Sequence, residues 1–600
     1  MSNDAAGFGM SFEFGGRGGD DERRAAPPRA SFEAGAPPEA APEVTRLVVL
    51  ANLRGLPAAR DRAPRRVRQA TLDEDFAWFD VVLRLDVKDH LGEGPRPLEV
   101  EAPLRSRADL RPDRLAAAIP ALAPVVRLLD DLELVEQGRL DLERLDAGRG
   151  AWASLPGLRA AADALDRALA GGRRAPSAPT GGALDSVVAA GRAAASGDAV
   201  LDSIFSMVDA GPAPAAAPAP ITASTGSGGL AEVRAAAAAV LERQVGEVLR
   251  HPQTRQVDRA WRGLELVLSR GPREGVEVEA LDVDPDSPET ALVHGLAARH
   301  GRPDGPPPPS LVLIDATFSR TAADVARLEL VAEVGEALQA PIVVGVGAGF
   351  LGHDLPAFAR LDHPAGALER GLEAWNGARR DSKFRWLVVA TNEVLLRLPR
   401  GRGERDARRA GEDPRDLAWG NAGWLVLAGA AASHARTGWP SDLTGAAGEL
   451  GDLPLRPAGA GGVEAAGPLA AALPTTTVEA LADAGVLAWT VGRSPDAARL
   501  LRAPTAFRAP PDEPRWASGL PYQLVATRIA GALLRARERL LSGDPASALG
   551  RVEAFARGLV GDTGPGASAA ARLDGDAVEV EVTTGAGVLG GVTVVLGLSG

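Results

Sequence analysis

Gly347-Ala-Gly-Phe-Leu-Gly352 follows the apolar run Ile342–Val346 and fits the spacing G-x-G-x-x-G. In that pattern the glycines let a pyrophosphate approach the N-terminus of a helix. His353-Asp354-Leu355-Pro356 follows at once, and proline is a poor helix interior. Glu369 or Glu373 stands where an acid would hold the ribose, but most windows of this chain contain an acid. Glycine supplies 70 of 600 residues, so a chance match is cheap. The favoured reading is a glycine-rich turn at a strand end, with no cofactor. Asp282-Val-Asp-Pro-Asp286 imitates the start of a calcium loop. Position 6 is Ser287 where the sharp turn needs glycine, and position 12 is Val293 where the loop needs glutamate. The histidines (90, 251, 294, 300, 353, 363 and 434) form no HExxH and no close pair at helical spacing, so no metal site is expected. G-x-S-x-G and Walker A motifs are absent. Acid pairs such as Asp130-Asp131 are plentiful, and nothing isolates one as a catalytic dyad. Arg60, Arg62, Arg65, Arg66 and Arg68 could grip phosphates. They have no interleaved aromatics, which favours a solvated loop or a protein-facing patch over nucleic acid. The residues give no support to catalysis, and the chain is expected not to be an enzyme.

Composition narrows the class further. Apolar residues make up 45% and charged residues 24%, the balance of a soluble globular chain. Six hundred residues exceed one ordinary domain; roughly 150 residues per domain is the usual prior. The formal charge is −13, from 66 cations and 79 anions, which argues against a global grip on nucleic acid or anionic lipid. Cysteine is absent, so disulfides, thiolate catalysis and Cys-ligated clusters are excluded. No basic start followed by an apolar stretch opens the chain, and no apolar run is long enough to span a bilayer. A cytoplasmic protein is the expectation, with no direct membrane partner.

The elements follow from periodicity. Met10–Phe14 alternates apolar and polar beside Gly15-Gly16, a short strand with no partner nearby. Thr45–Asn52 and Phe79–Asp86 read as strands, and Asp109–Glu136 as helix broken at Pro120 and Pro124. Residues 45–169 are thus expected to form one compact α/β unit. Linkers at Ala170–Gly182 and Gly211–Gly229 bracket two short amphipathic pieces, Leu184-Asp-Ser-Val-Val188 and Leu201-Asp-Ser-Ile-Phe205. That arrangement presents a docking segment; it does not build a core. Helices are expected over Leu230–Arg250 and around Val257–Leu268, then a strand at Leu311–Ile314. A capping box at Thr321–Asp324 opens the next helix, and Ile342–Val346 follows as a strand, suggesting a parallel βαβ unit. Phe384–Ala390, Leu417–His434, Val486–Val491 and Leu520–Leu541 add strand, helix, strand and helix. Ala577–Thr583 and Val588–Leu598 alternate and form a terminal hairpin. The unpaired strands at the two ends are candidates for pairing with another chain.

Taken in order, these segments resemble the two contractile-sheath proteins of bacterial type VI secretion, TssB (VipA) and TssC (VipB), joined in one polypeptide. LVVLANLRGLP (47–57), TLDEDF (71–76), FDVVLRLDVKDHL (79–91) and the helical stretch Asp109–Leu129 carry the small-subunit resemblance. The large-subunit resemblance rests on VLRHPQTRQVDRAWRGLELVL (248–268), FSRTAADVARLELVAEV (318–334) and APIVVGVGAGFLG (340–352). It continues through residues 372–401, 418–439 and 520–534. The resemblance implies a mixed α/β contractile-sheath fold divided as an N-terminal arm (1–44), a small-subunit module (45–169), linkers (170–229), a large-subunit core (230–576) and terminal exchange strands (577–600). It implies a structural protomer that polymerises around an Hcp-like inner tube on a baseplate and contracts to drive the tube out.

In that family neighbours are linked by strand exchange. The matching positions are Ser11, Phe12, Glu13 and Phe14 at one end, and Val578, Val580, Val582, Val592, Val594 and Leu596 at the other. A short helix of the large subunit docks into a ClpV-type AAA+ unfoldase. Here Leu184, Val187, Val188, Leu201, Ile204 and Phe205 would be its apolar anchors, or they pack on the protein's own surface. The fusion, the long Gly/Pro insertions and the loss of aromatic positions depart from the family. They leave open the sheath of a related phage-tail-like contractile injection particle, and behind it a nucleotide-binding enzyme.

Overall fold

The computed structural model describes residues 44–55, 64–172, 227–272, 274–284, 286–300, 306–401, 404–405, 407–458, 466–574 and 577–599. Segments 10–14, 184–188 and 201–205, with Arg60 and Arg62, lie outside them. The strands in chain order are β1 (Thr45–Ala51), β2 (Arg65–Val67), β3 (Val81–Val87), β4 (Leu98–Leu104), β5 (Val276–Asp282), β6 (Leu311–Phe318), β7 (Ile342–Val346) and β8 (Leu387–Thr391). After them come β9 (Val394–Arg397), β10 (Ala418–Gly420), β11 (Val486–Val491), β12 (Ala498–Leu500), β13 (Ser568–Asp574), β14 (Ala577–Thr583) and β15 (Thr593–Ser599).

Eight strands form one mixed sheet in the order β12-β11-β8-β7-β6-β1-β5-β2. Its centre is parallel, and the short edge strands β2 and β12 run antiparallel to their neighbours. Parallel strands covered on both faces read as unbroken apolar runs. The burial follows that rule: every residue of β1, β7 and β8 is buried. On one face Val48, Leu50, Val312, Ile314, Ile342 and Val344 pack with Leu328, Val331 and Ala332 of helix Ala322–Leu338. The other face takes helix Gly423–Thr437, whose Gly423 sits against Leu313 and Val343. That helix in turn packs on helix Pro252–Arg270.

The expected βαβ unit is present as β6, helix Ala322–Leu338 and β7. Thr321 caps the helix by accepting from Asp324 N at 3.3 Å. The Asp324 carboxylate reaches two residues further back than a capping box requires, accepting from Ser319 N at 2.7 Å rather than from Thr321 N. The strand expected from Phe384 begins at Leu387 after a 3-10 turn, and the helix expected from Leu417 begins at Gly423 after β10. The last strand begins at Thr593 rather than at Val588. Two further differences bear on the packing. Phe79 closes the helix Leu72–Phe79, so its strand begins at Val81. And β1, assigned from sequence to a compact unit ending at 169, pairs along its length with β5 and on its other side with β6. From Leu47 to Ala51 its side chains are apolar on both faces, which suits a strand with a neighbour on each side.

By contacts the chain divides discontinuously. One unit comprises 1–87, 98–119 and 245–600, and holds the strands found among the described residues. The other comprises 88–97 and 120–244, and its described elements are helices. Its helices Ala123–Glu136 and Arg159–Gly172, with helix Ser227–Arg250 as far as Gln244, bury Leu128, Leu132, Trp152, Leu165, Val233 and Leu241. Gln244 is fully buried there and satisfied at both ends: its amide donates to Lys88 O at 2.9 Å and its carbonyl accepts from His90 N at 2.7 Å.

Candidate assembly interface

The residues singled out at the C-terminal end lie on a three-stranded antiparallel sheet, β13-β14-β15. Alternation puts Val578, Val580 and Val582 of β14 and Val594, Leu596 and Leu598 of β15 on one face. Val580, Val582, Val594 and Leu596 have no exposed area, and Val592, just before β15, is also buried. They cover Val525, Ile529, Leu533, Val552 and Ala556 from helices Leu520–Leu541 and Pro545–Val560. Asp544 starts the second helix by accepting from Ser547 N at 3.0 Å.

The β14–β15 connection is tightly specified. Thr584 N donates to Val592 O at 2.9 Å, and Val592 N returns a bond to the Thr584 hydroxyl at 3.0 Å. Gly590 (φ 74°) and Gly591 (φ 92°) take left-handed conformations that favour glycine. Leu589 shares that region at φ 52°, which is strained for a side chain of its size, and it is 41% exposed. Tyr522 ties the strand to the helix through its hydroxyl, which donates to Thr593 O at 3.2 Å; burial pushes its pKa up to about 12.

Hydrogen-bonding edges decide what such a sheet can join. β14 is paired on both sides over its whole length, so its main chain is used up. β13 and β15 each keep one edge with no strand partner among the described residues. The sequence grouped β14 and β15 as exchange strands, but only the second of them has a free edge. It missed β13, because SAAARLD carries a single buried alanine and no apolar alternation.

The other motifs find structural uses. Gly347–Gly352 holds a four-residue helix, Ala348–Leu351, ended by Gly352 at φ 78°. That is a strand-end turn, and it lacks the long helix whose dipole would face a pyrophosphate. Asp282 accepts from Leu53 N at 2.9 Å and Arg54 N at 3.2 Å, fastening the end of β1. Arg65 pairs with Asp75 at 2.8 Å and lies over Trp78, while Arg66 pairs with Glu277 at 2.6 Å. This part of the basic run faces protein.

Residues 232–506 match the VipB family profile, described as EvpB/VC_A0108, tail sheath N-terminal domain. That family is structural, and the match takes in 275 of this chain's 600 residues. The matched stretch spans β5 to β12. Among solved structures, the sheath tail protein of Desulfitobacterium hafniense aligns at 11% identity and a TM-score of 0.30, over 53% of this chain and 60% of that one. No curated protein sequence matches. No helix among the described residues is long and apolar enough to cross a membrane.

Proposed function

We propose that this chain is the protomer of a contractile sheath of type VI secretion, with the small-subunit and large-subunit functions fused. One observation carries the fused reading. The sheath-type stretch 232–506 supplies β5 and β6, and β1 from outside it lies between them. Without β1 both would present open edges in the middle of an apolar sheet. A segment that elsewhere belongs to a second chain is thus needed to close the sheet, and fusion fixes its ratio at one to one. On this reading the module limits are those drawn from sequence, with β1 lent to the large core.

The protomers polymerise in the cytoplasm around an inner tube, on a baseplate, by strand exchange. The arm strand Ser11–Phe14 adds to a free edge of the C-terminal sheet of a neighbour. Main-chain pairing of that kind is a compliant joint, so protomers rotate during contraction while staying linked. The segments at Leu184 and Leu201 offer apolar anchors to a ClpV-type unfoldase.

Deleting residues 1–20 tests the exchange. The variant is expected to stay folded by circular dichroism and to lose polymerisation; normal tubes would sink the reading. Deleting 575–600 is a poorer test, because it strips β14 and β15 from the helices they cover. A sheath from a related injection particle shares the fold and lacks the unfoldase contact. A 184–208 peptide that fails to bind a ClpV N-terminal domain at high micromolar concentration would favour it.

A further inference from the structure

A groove of about 1480 Å³ opens beside the β14–β15 turn. Its apolar lining includes Leu501, Phe507, Trp516 and Leu589. Trp516 is 50% exposed, so two of the six large exposed apolar side chains among the described residues border this one groove. The charged lining is net cationic, with Arg379, Arg502, Arg508 and Arg515 against the two carboxylates of Glu369 and Asp483. Arg502 and Arg515 share a single carboxylate, Asp483, at 2.8 and 3.4 Å. Arg508 is exposed and makes no ion pair among the described residues. Arg379, buried below them, donates only to main-chain carbonyls, Ala506 O and Asp483 O. A concentration of guanidinium groups on a chain of charge −13 calls for an anionic partner with an apolar anchor.

Such a feature lies at the other end of the same sheet. Leu573, at the end of β13, is 53% exposed, the most exposed large apolar side chain among the described residues. Asp574 follows it, exposed and without an ion pair among the described residues. The register separates the two features: Thr593 of the groove lies opposite Thr583, whereas Asp574 lies opposite Ala577. Six residue steps at roughly 3.4 Å put them about 20 Å apart along the strands.

We propose that the groove takes the Leu573–Asp574 corner of a second copy of this chain, the leucine against Trp516 and Leu589 and the carboxylate among Arg502, Arg508 and Arg515. The proposal rests on the sheath reading and adds a contact to it. Groove and corner are different surfaces at opposite ends of one sheet, so the contact is heterologous. Each bound copy presents a fresh corner and a fresh groove, and the contact propagates without satisfying itself in a dimer. One leucine and one carboxylate bury far less than the roughly 1,200–2,000 Å² of a stable interface. The contact is therefore weak singly and acts by repetition.

The chain has no cysteine, which makes disulfide trapping clean. Ser518→Cys places a thiol in the groove with little change in size, and Arg572→Cys places one beside the corner, on an exposed position of β13, while keeping both Leu573 and Asp574. Under mild oxidant, a mixture of the two single variants is expected to give a covalent dimer, and each alone none. The double variant is expected to give a ladder. Adding Leu573→Ser or Asp574→Asn to Arg572→Cys is expected to cut the mixed dimer at least tenfold. A mixed dimer no more abundant than that from Ser518→Cys with the exposed control Leu330→Cys overturns the contact. If trapping fails while full-length protein still forms tubes, the contact is wrong and the sheath reading stands. If trapping succeeds and tubes never form, the sheath reading falls.

Discussion

Arg397 shows how this chain spends charge inside. Its guanidinium donates to Asp258 at 2.9 Å and to both oxygens of Glu412 at 2.6 and 2.9 Å, and the Glu412 side chain is only 3% exposed. Burial alone would lower the pKa of Arg397, yet the two carboxylates raise it. Removing one partner of a buried ion pair strands the other in low dielectric, at about 3–5 kcal/mol. Arg397→Met is expected to lower the urea midpoint accordingly, and Arg397→Met with Glu412→Leu to recover part of the loss. A single variant as stable as wild type would contradict the account. His434 is a second residue-scale case. Its Nδ1 lies 2.8 Å from the Thr45 hydroxyl and 3.5 Å from Arg528, and burial, then Arg528, lowers its pKa to about 4. The unfolded chain, with a histidine pKa near 6.5, binds that proton first as pH falls. The histidine therefore costs nothing above about pH 6.5, and stability falls from there toward pH 4. His434→Gln is expected to flatten the slope of melting temperature against pH between 6.5 and 5. An unchanged slope would place the titration elsewhere.

At the scale of elements, close approach sets the helix packing. A methyl added to Gly263 would overlap the indole of Trp424, so helices Pro252–Arg270 and Gly423–Thr437 meet only because that position is glycine. Gly263→Ala is expected to destabilise by about 1–3 kcal/mol, the usual range for overpacking. Gly377→Ala, with nothing within 4 Å, is expected to shift melting little. Equal shifts in the two variants would contradict this. Most elements of this kind were legible in the sequence. The apolar runs of β1, β6, β7, β8 and β11 and the long helices announce themselves, because burial on both faces leaves no ambiguity of period. What was not legible has physical reasons. β5 alternates Val and Glu and looks half-exposed, yet Glu277 and Glu279 are drawn in by Arg66 and Arg46. β13 is held by its neighbour's main chain rather than by its own side chains. Helix Pro545–Val560 follows the preceding helix after a short turn, and the first helix's periodicity masks where the second begins. Of the candidate interface, the valine strands were visible from alternation. The groove was not, because Leu501, Trp516 and Leu589 share no period.

For the whole molecule, the placement of β1 carries the most weight. A strand more than 220 residues away in sequence sits between β5 and β6, so neither sequence half encloses a finished sheet. The profile match to a tail-sheath domain covers 232–506, and what the rest adds is β1, β2, the hairpin β3–β4 and the C-terminal sheet. Those additions include the free edges and one wall of the groove, Trp516 and Leu589 among its residues, while Leu501 and Arg502 come from the matched stretch; these surfaces are suited to joining copies. The central claim is that copies join into an open tube. Negative-stain electron microscopy of the purified full-length protein, with and without a co-expressed inner-tube protein, tests it most directly. The account predicts hollow tubes with a regular cogwheel end view. Discrete particles under both conditions would contradict it.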